Sequence, residues 1–392
     1  MAQGREFDVI VYGATGYTGR LVAEYLNQQY GNGKDVRWAM AARSLEKLAQ
    51  VRDEIGAPAD TPLIVANADE AGSLKAMAAR AGCVATTVGP YQLYGEALVS
   101  ACAETGTDYV DLCGEPAWMA QMIEKYSAAA KASGARIVFS CGFDSIPFDL
   151  GVWFLEQAAQ EKFGAPATRV KGRVRQMQGK FSGGTAYSMR ATMEAVQKDP
   201  KLIGLLVNPF SLCEGFTGPD QPPGNAPVED TDIGSWSAPF VMAAINTKNV
   251  HRSNALLGHA YGEDFKYDEM MLTGPGEAGK AAAEVVAKTD VIGGDDAPKP
   301  GEGPTKDERD NGFYDVLFYG TTAAGDVIKV GVTGDRDPGY GSTSKMLSEA
   351  ALTLVNEASA TPGGIYTPAP AMAAPLVERL RQNAGLTFEV ES

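Results

Sequence analysis

The sequence predicts an α/β protein, with a helix-covered parallel sheet at the amino end and an α+β second domain whose final segment returns to the first. Three observations carry this reading. From Phe7 to about Phe139, short apolar runs rich in β-branched residues alternate with amphipathic patterns of helical period, as expected of a parallel sheet buried on both faces. A glycine turn, Gly13 to Gly19, stands at the first strand–helix junction. After Phe139, strand-like stretches crowd together with fewer helices between them.

Taken in order, strands are expected at Phe7–Tyr12, Val36–Ala41, Pro62–Ala66, Cys83–Val88, Tyr109–Leu112 and Ala135–Phe139. Between them, Tyr17–Tyr30, Ser44–Ile55, Ser73–Arg80, Glu96–Glu104 and Pro116–Ser133 read as helices. A further helix opens at Pro147, where proline is preorganised for the first helical position and Asp149 suits the first turn's dipole. Strand-like stretches follow at Arg169–Met177, Phe240–Val250, Phe265–Leu272, Phe313–Thr321 and Val327–Thr333, and helices again at Tyr340–Asn356 and Pro370–Asn383. Two Pro/Gly/Asp-rich stretches, Gly218–Pro239 and Gly293–Gly312, are long enough to be lids or plain surface insertions. The expected division is 1–146 for a Rossmann-type domain, 147–338 for an α+β catalytic domain, and 339–392 for helices packing back on the first.

Composition narrows the function. A chain of 392 residues suits two or three domains, and its 44% apolar and 21% charged residues exclude wholesale disorder. No apolar run approaches the roughly 18 residues of a spanning helix. Met1 to Arg5 lead into the first strand without a leader pattern. With 34 basic against 49 acidic residues, the net charge of −15 repels phosphate backbones, which argues against nucleic acid as a partner. The five cysteines (Cys83, Cys102, Cys113, Cys141, Cys213) are odd in number and widely spaced, and only His251 and His259 could supplement them. That pattern speaks against a metal site or a disulfide framework and fits a reducing cytoplasm.

The glycine turn carries the first chemistry. In Gly13-Ala14-Thr15-Gly16-Tyr17-Thr18-Gly19, the first glycine permits a tight turn, the second lets backbone approach a pyrophosphate, and the third lets helix pack on sheet. The new helix's free N–H groups then bind the anion. An NAD site wants an acid at the tip of the second strand; here Ala42-Arg43-Ser44 stands instead. Arg43, helped by Ser44 and Lys47, would clamp a 2′-phosphate, so NADPH/NADP is the expected cofactor. Asn67, just past the third strand, is placed near the adenine edge.

Ligands of such a sheet lie beyond its strands' carboxyl ends. Val88-Gly89-Pro90-Tyr91 would let a nicotinamide ribose lie close to the backbone. Asp111 to Pro116 and Cys141 to Pro147 end the next two strands, with Asp144 divided between helix cap and site, and Glu115 reading first as a first-turn acid. Candidate proton donors are Tyr91, Tyr94 and Tyr187, the last in Phe181-Ser182-Gly183-Gly184-Thr185-Ala186-Tyr187, a loop opening a helix. Each tyrosine also reads as a packed aromatic. His251 and His259 fall in strand-like or loop context and read as structural.

Three other mechanisms are set aside. Tyr30 and Lys34 have the spacing of a short-chain dehydrogenase pair but fall in a glycine loop. Gly274 to Lys280 nearly spells a phosphate-binding loop, yet Ala281 replaces the magnesium-binding hydroxyl, leaving a helix-opening turn. No Gly-x-Ser-x-Gly elbow exists.

Together, Gly13–Gly19, Ala42-Arg43-Ser44, Val88-Gly89-Pro90-Tyr91, Tyr109 to Glu115, Cys141 to Pro147, Asp337-Pro338-Gly339-Tyr340 and Thr387-Phe388-Glu389-Val390 resemble the saccharopine-dehydrogenase-like oxidoreductases, in particular their trans-acting enoyl reductase branch. The resemblance implies an NADP-binding Rossmann domain, a catalytic domain, and a C-terminal segment returning to the first. Asn67 departs from it, standing where many relatives carry an acid. The leading expectation is an NADPH-dependent reductase of an activated double bond in an acyl or polyketide-like intermediate. An amino-acid C–N dehydrogenase and a non-catalytic NADP-binding regulator or lipid-associated protein are the alternatives. No basic cluster suited to saccharopine's carboxylates is seen, and the apolar run Leu202 to Val207 reads as core packing before acyl channel. Oligomeric state and peripheral lipid contact are left open.

Overall fold

The structure is a computed structural model describing residues 4–31, 33, 35–180, 183–289 and 301–392. Lys34, Phe181 and Ser182, together with 290–300 of the second Pro/Gly-rich stretch, lie outside the described residues.

The first half alternates strand and helix: β1 (Phe7–Tyr12), α1 (Tyr17–Tyr30), β2 (Trp38–Ala42), α2 (Leu45–Glu54), β3 (Leu63–Val65), α3 (Ala71–Ala78), β4 (Ala81–Thr86), the short α4 (Tyr91–Tyr94), α5 (Glu96–Thr105), β5 (Asp108–Val110), α6 (Pro116–Ser133) and β6 (Arg136–Val138). Every residue of β1, β2 and β4 is buried, which is why these strands read as apolar throughout. Helix ends follow local chemistry. Ser44 accepts the Lys47 N–H to cap α2, Pro116 opens α6, and Gly106 and Gly134 end α5 and α6 in the left-handed conformation.

The second half holds α7 (Ile146–Phe163), β7 (Arg169–Gln178), α8 (Gly183–Lys198), α9 (Leu202–Val207), β8 (Val228–Asp230), β9 (Ser235–Pro239), α10 (Ala243–Leu256), β10 (Lys266–Gly274), α11 (Gly276–Lys288), α12 (Lys306–Asp310), β11 (Phe313–Thr321), β12 (Val327–Gly334), α13 (Thr343–Asn356), β13 (Gly364–Tyr366), α14 (Pro368–Arg379) and β14 (Leu386–Glu391). Among the described residues two seven-stranded sheets result. The first has the order β13-β6-β5-β4-β1-β2-β3 and is parallel throughout; the second has the order β14-β12-β11-β7-β10-β9-β8, antiparallel except for β7 with β10. This is the α/β architecture expected, a Rossmann-type sheet with an α+β partner. Residues after 339 contribute to both sheets, β13 beside β6 and β14 beside β12. One hydrophobic core runs from Val9, Val11 and Met40 through α7 and α13 to Val170, Val316 and Val330, so the sheets share an interior.

Two local readings are corrected. The stretch Phe240–Val250 is not a strand: β9 stops at Pro239 and α10 begins at Ala243. Its helical period was hidden because Asn246, Lys248, Asn249, His251 and Arg252 lie on buried faces where apolar residues would have marked it. The run Leu202 to Val207 is not core either: α9 buries none of its residues, and Val207 is 72% exposed.

Candidate active site

The glycine turn is built by close approach. Gly13 sits at φ +91°, and a Cβ there would lie 2.7 Å from Val88 Cγ2; a Cβ on Gly19 would lie 2.2 Å from the Gly13 carbonyl oxygen. Gly16 N–H closes the turn on Gly13 O at 2.9 Å, while the Gly13 and Ala14 N–H groups are both spent on Ala41 O. The donors this leaves for an anion are the first-turn N–H groups of α1, at Tyr17, Thr18 and Gly19, which have no helical carbonyl ahead of them. Thr15 stands on the same turn. The Tyr17 side chain bridges to the second half of the chain. Its hydroxyl donates to Pro304 O and accepts from Arg309 at 2.9 Å, and its ring meets Tyr340 edge-on at 5.2 Å.

At the adenosine end, Arg43 is exposed and makes no ion pair or hydrogen bond among the described residues. It lies close enough to Tyr12 to act on it: burial, foremost, with Asp69 beside it, pushes that hydroxyl up to about 12, against a lowering by Arg43. Ser44 is committed to capping α2. Asn67 builds the turn after β3, accepting the Asp69 N–H at 3.3 Å and donating to Glu70 at 3.5 Å.

At the nicotinamide end, the Val88-Gly89-Pro90 turn leads into α4. A Cβ on Gly89 would have Ser188 Oγ of α8 at 3.7 Å, and Gln92 donates to Thr192 at 3.2 Å, so α8 roofs this turn. Tyr187 is one residue from Ser188, roughly a quarter turn round the helix, and is exposed. The Tyr91 hydroxyl is buried, donating to Thr86 O at 3.3 Å and accepting from Leu112 N at 3.0 Å, which pins β4 to the end of β5. Glu115 accepts the N–H groups of Tyr91 and Gln92 at 2.9 and 2.8 Å, so it caps α4 across space.

Asp144 differs from its neighbours. Asp111 is saturated by Tyr109, Cys113 and Ser140. The Asp144 side chain is half-buried at the carboxyl edge of β5 and β6, where a Cβ on Gly114 would be 2.9 Å from its Oδ2. Among the described residues only its own backbone N–H helps hold its charge, and burial pushes its carboxyl up to about 7. It is not the helix cap; Ser145 occupies that position, and its hydroxyl accepts from Asn249 of α10 at 2.8 Å. Sequence reasoning missed α10 as the element behind this corner. Asn246, Asn249 and Ser253, three and four residues apart, form a polar stripe reaching Glu269, Ser145 and Asp149. That spacing was the signal available.

The arrangement fits a phosphorylated dinucleotide: a cradle that any Cβ would fill, helix-start donors beneath it, and an unpaired guanidinium at the second strand's tip. The comparisons agree. A family model described as saccharopine dehydrogenase NADP binding domain matches residues 9–138. A trans-acting enoyl reductase of Mycobacterium tuberculosis is 38% identical over 405 residues, covering 96% of each chain. One from Mycobacterium ulcerans is 36% identical over 410 residues, again covering 96% of each. Among solved structures, a saccharopine dehydrogenase (L-Glu forming) from Saccharomyces cerevisiae superposes with a TM-score of 0.56 at 13% identity, covering 98% of this chain and 100% of its own, a likeness of fold. Matched at these identities over nearly its whole length, the chain belongs to the trans-acting enoyl reductases, built on the saccharopine dehydrogenase NADP-binding domain, and is an NADP-dependent oxidoreductase.

Proposed function

We propose that this protein uses NADPH to reduce an activated carbon–carbon double bond in an acyl or polyketide-like intermediate. The cradle of Gly13, Gly16 and Gly19 with the α1 N–H groups would hold the pyrophosphate, Arg43 the 2′-phosphate, and the Val88–Pro90 turn the nicotinamide ribose. NADPH bound there supplies the hydride. Asp144 carries the argument: a half-buried carboxyl with no side-chain partner among the described residues, pushed up to about 7, keeps a proton at the cleft and can deliver it to the carbon beside the one reduced. Tyr91 positions the turn, and the α8 roof, with Tyr187 on its flank, excludes water above it.

We assign 1–146 to cofactor binding, 147–338 to substrate and 339–392 to joining the two. A cytoplasmic setting fits the five free, buried thiols; no helix among the described residues is long and apolar enough to cross a membrane. Incubating the pure protein with NADPH and enoyl thioesters of graded length is expected to consume NADPH and yield the saturated acyl group. Inertness across all lengths, with NADPH binding intact, would overturn the assignment.

A further inference from the structure

The α10 helix has a second buried face, separate from the one behind Ser145. Lys248 and His251, one turn apart, line a hollow of about 620 Å³ whose walls all come from residues between Val207 and Glu269. No residue of the first sheet contributes, so this is not the cofactor cleft. Its size lies within the roughly 300–1,000 Å³ of small-molecule sites. The proline-rich stretch through Pro219, Pro222 and Pro223 contributes to the lining, and Phe210 and Phe240 give the interior an apolar side.

The polar side is incomplete. Lys248 is 4% exposed and has no hydrogen bond or ion pair among the described residues. His251 is 3% exposed, and its Nε2 has no partner among them either. Of the three acids in the lining, Asp220 is exposed on the proline-rich stretch, and the two buried ones are already occupied. Asp268 pairs with Arg169 and Arg173, and Glu269 accepts from Tyr267 at 2.8 Å and Asn246 at 2.9 Å. The buried guanidinium of Arg252 donates through its two terminal nitrogens to the Leu212 and Ile365 carbonyls, away from the hollow's lining, with its Nε unpartnered among the described residues. Lys248 and His251 feel each other directly: with burial, the lysine's charge holds the imidazole down at about 3, so it is neutral. Burial holds Lys248 down at about 8, which still leaves an ammonium at pH 7. A buried cation with no counter-ion among the described residues is costly, and here it lines a hollow with an apolar side, beside an imidazole nitrogen unpartnered among the same residues.

We propose that this hollow binds a carboxylate joined to an apolar body, of the class of a medium-chain fatty acid, with the carboxylate on Lys248 and His251 and the chain along Phe210, Phe240 and the proline wall. The assignment does not depend on enoyl reduction. It is tested by calorimetry on the full chain at pH 7 with octanoate, its uncharged isostere octanamide, and an octanoyl thioester. Octanoate is expected to bind at least tenfold more tightly than the other two. Lys248→Met should weaken octanoate at least tenfold, raise Tm in the absence of ligand, and leave NADPH affinity unchanged. Ala244→Trp, at an exposed position lining the hollow, should abolish octanoate binding with Lys248 still in place. Octanoate binding Lys248→Met within twofold of the parent, octanamide or the thioester matching octanoate, or no heat at millimolar octanoate would each overturn the proposal.

Discussion

Replacing Asp144 by Asn keeps the side chain's shape and removes its transferable proton, so kcat with an enoyl thioester is expected to fall by about 10²–10⁴-fold while NADPH affinity holds. The pH profile gives a second check. An acid that must be protonated loses its function as pH rises through its pKa, so kcat of the parent should fall as pH passes about 7, and the Asp144→Asn residual rate should lack that limb. Arg43→Ala should weaken NADPH by about 10–100-fold, the equivalent of a charge-assisted hydrogen bond at about 1.5–3 kcal/mol, with NADH unaffected; fluorescence titration with both cofactors reads it. Arg43 could be singled out in the sequence because an absent acid at a strand tip leaves one obvious substitute, and the structure places it exposed there. The fate of Tyr91 was not. Whether a hydroxyl faces a cleft or a buried carbonyl depends on the approach of Thr86 and Leu112, which sequence spacing does not encode.

Among elements, the strands of the first sheet were readable because burial on both faces leaves an uninterrupted apolar signature. The helix α10 hid because its interior face is polar, and α9 misled because an apolar run reads the same on a surface as in a core. The junction of α1, α13 and α14 carries the sharpest stability prediction. Glu349 of α13 is buried and accepts from Tyr25 at 2.6 Å, Tyr30 at 2.5 Å and Arg379 at 2.8 Å. Glu349→Ala strands those donors and is expected to cost about 3–5 kcal/mol in denaturant unfolding. In the turn itself, Gly19→Ala places a methyl against the Gly13 carbonyl and should abolish NADPH binding in the same titration.

At the scale of the whole molecule, buried carboxyls set the pH response. Burial raises Asp111, Asp144 and Asp149 to about 7, and Glu156 and Glu269 to about 8. The folded state therefore binds protons that the unfolded chain, with ordinary carboxyls, has released, and stability declines as pH climbs through these values. His251, lowered to about 3, works in the opposite direction only up to the ordinary imidazole range near 6.5. Between pH 6.5 and 8 the acids prevail, and Tm should drop by several degrees, read by scanning calorimetry.

The distribution of the last residues between two sheets has a consequence for biogenesis. Residues 364–391 supply an edge strand to each layer, so a ribosome adding roughly 5–20 residues per second must pass both sheets' inner strands and reach Gly364 before either layer is finished. Until then the nascent chain carries two raw borders, at β6 and β12, open to illegitimate pairing with its neighbours on a polysome.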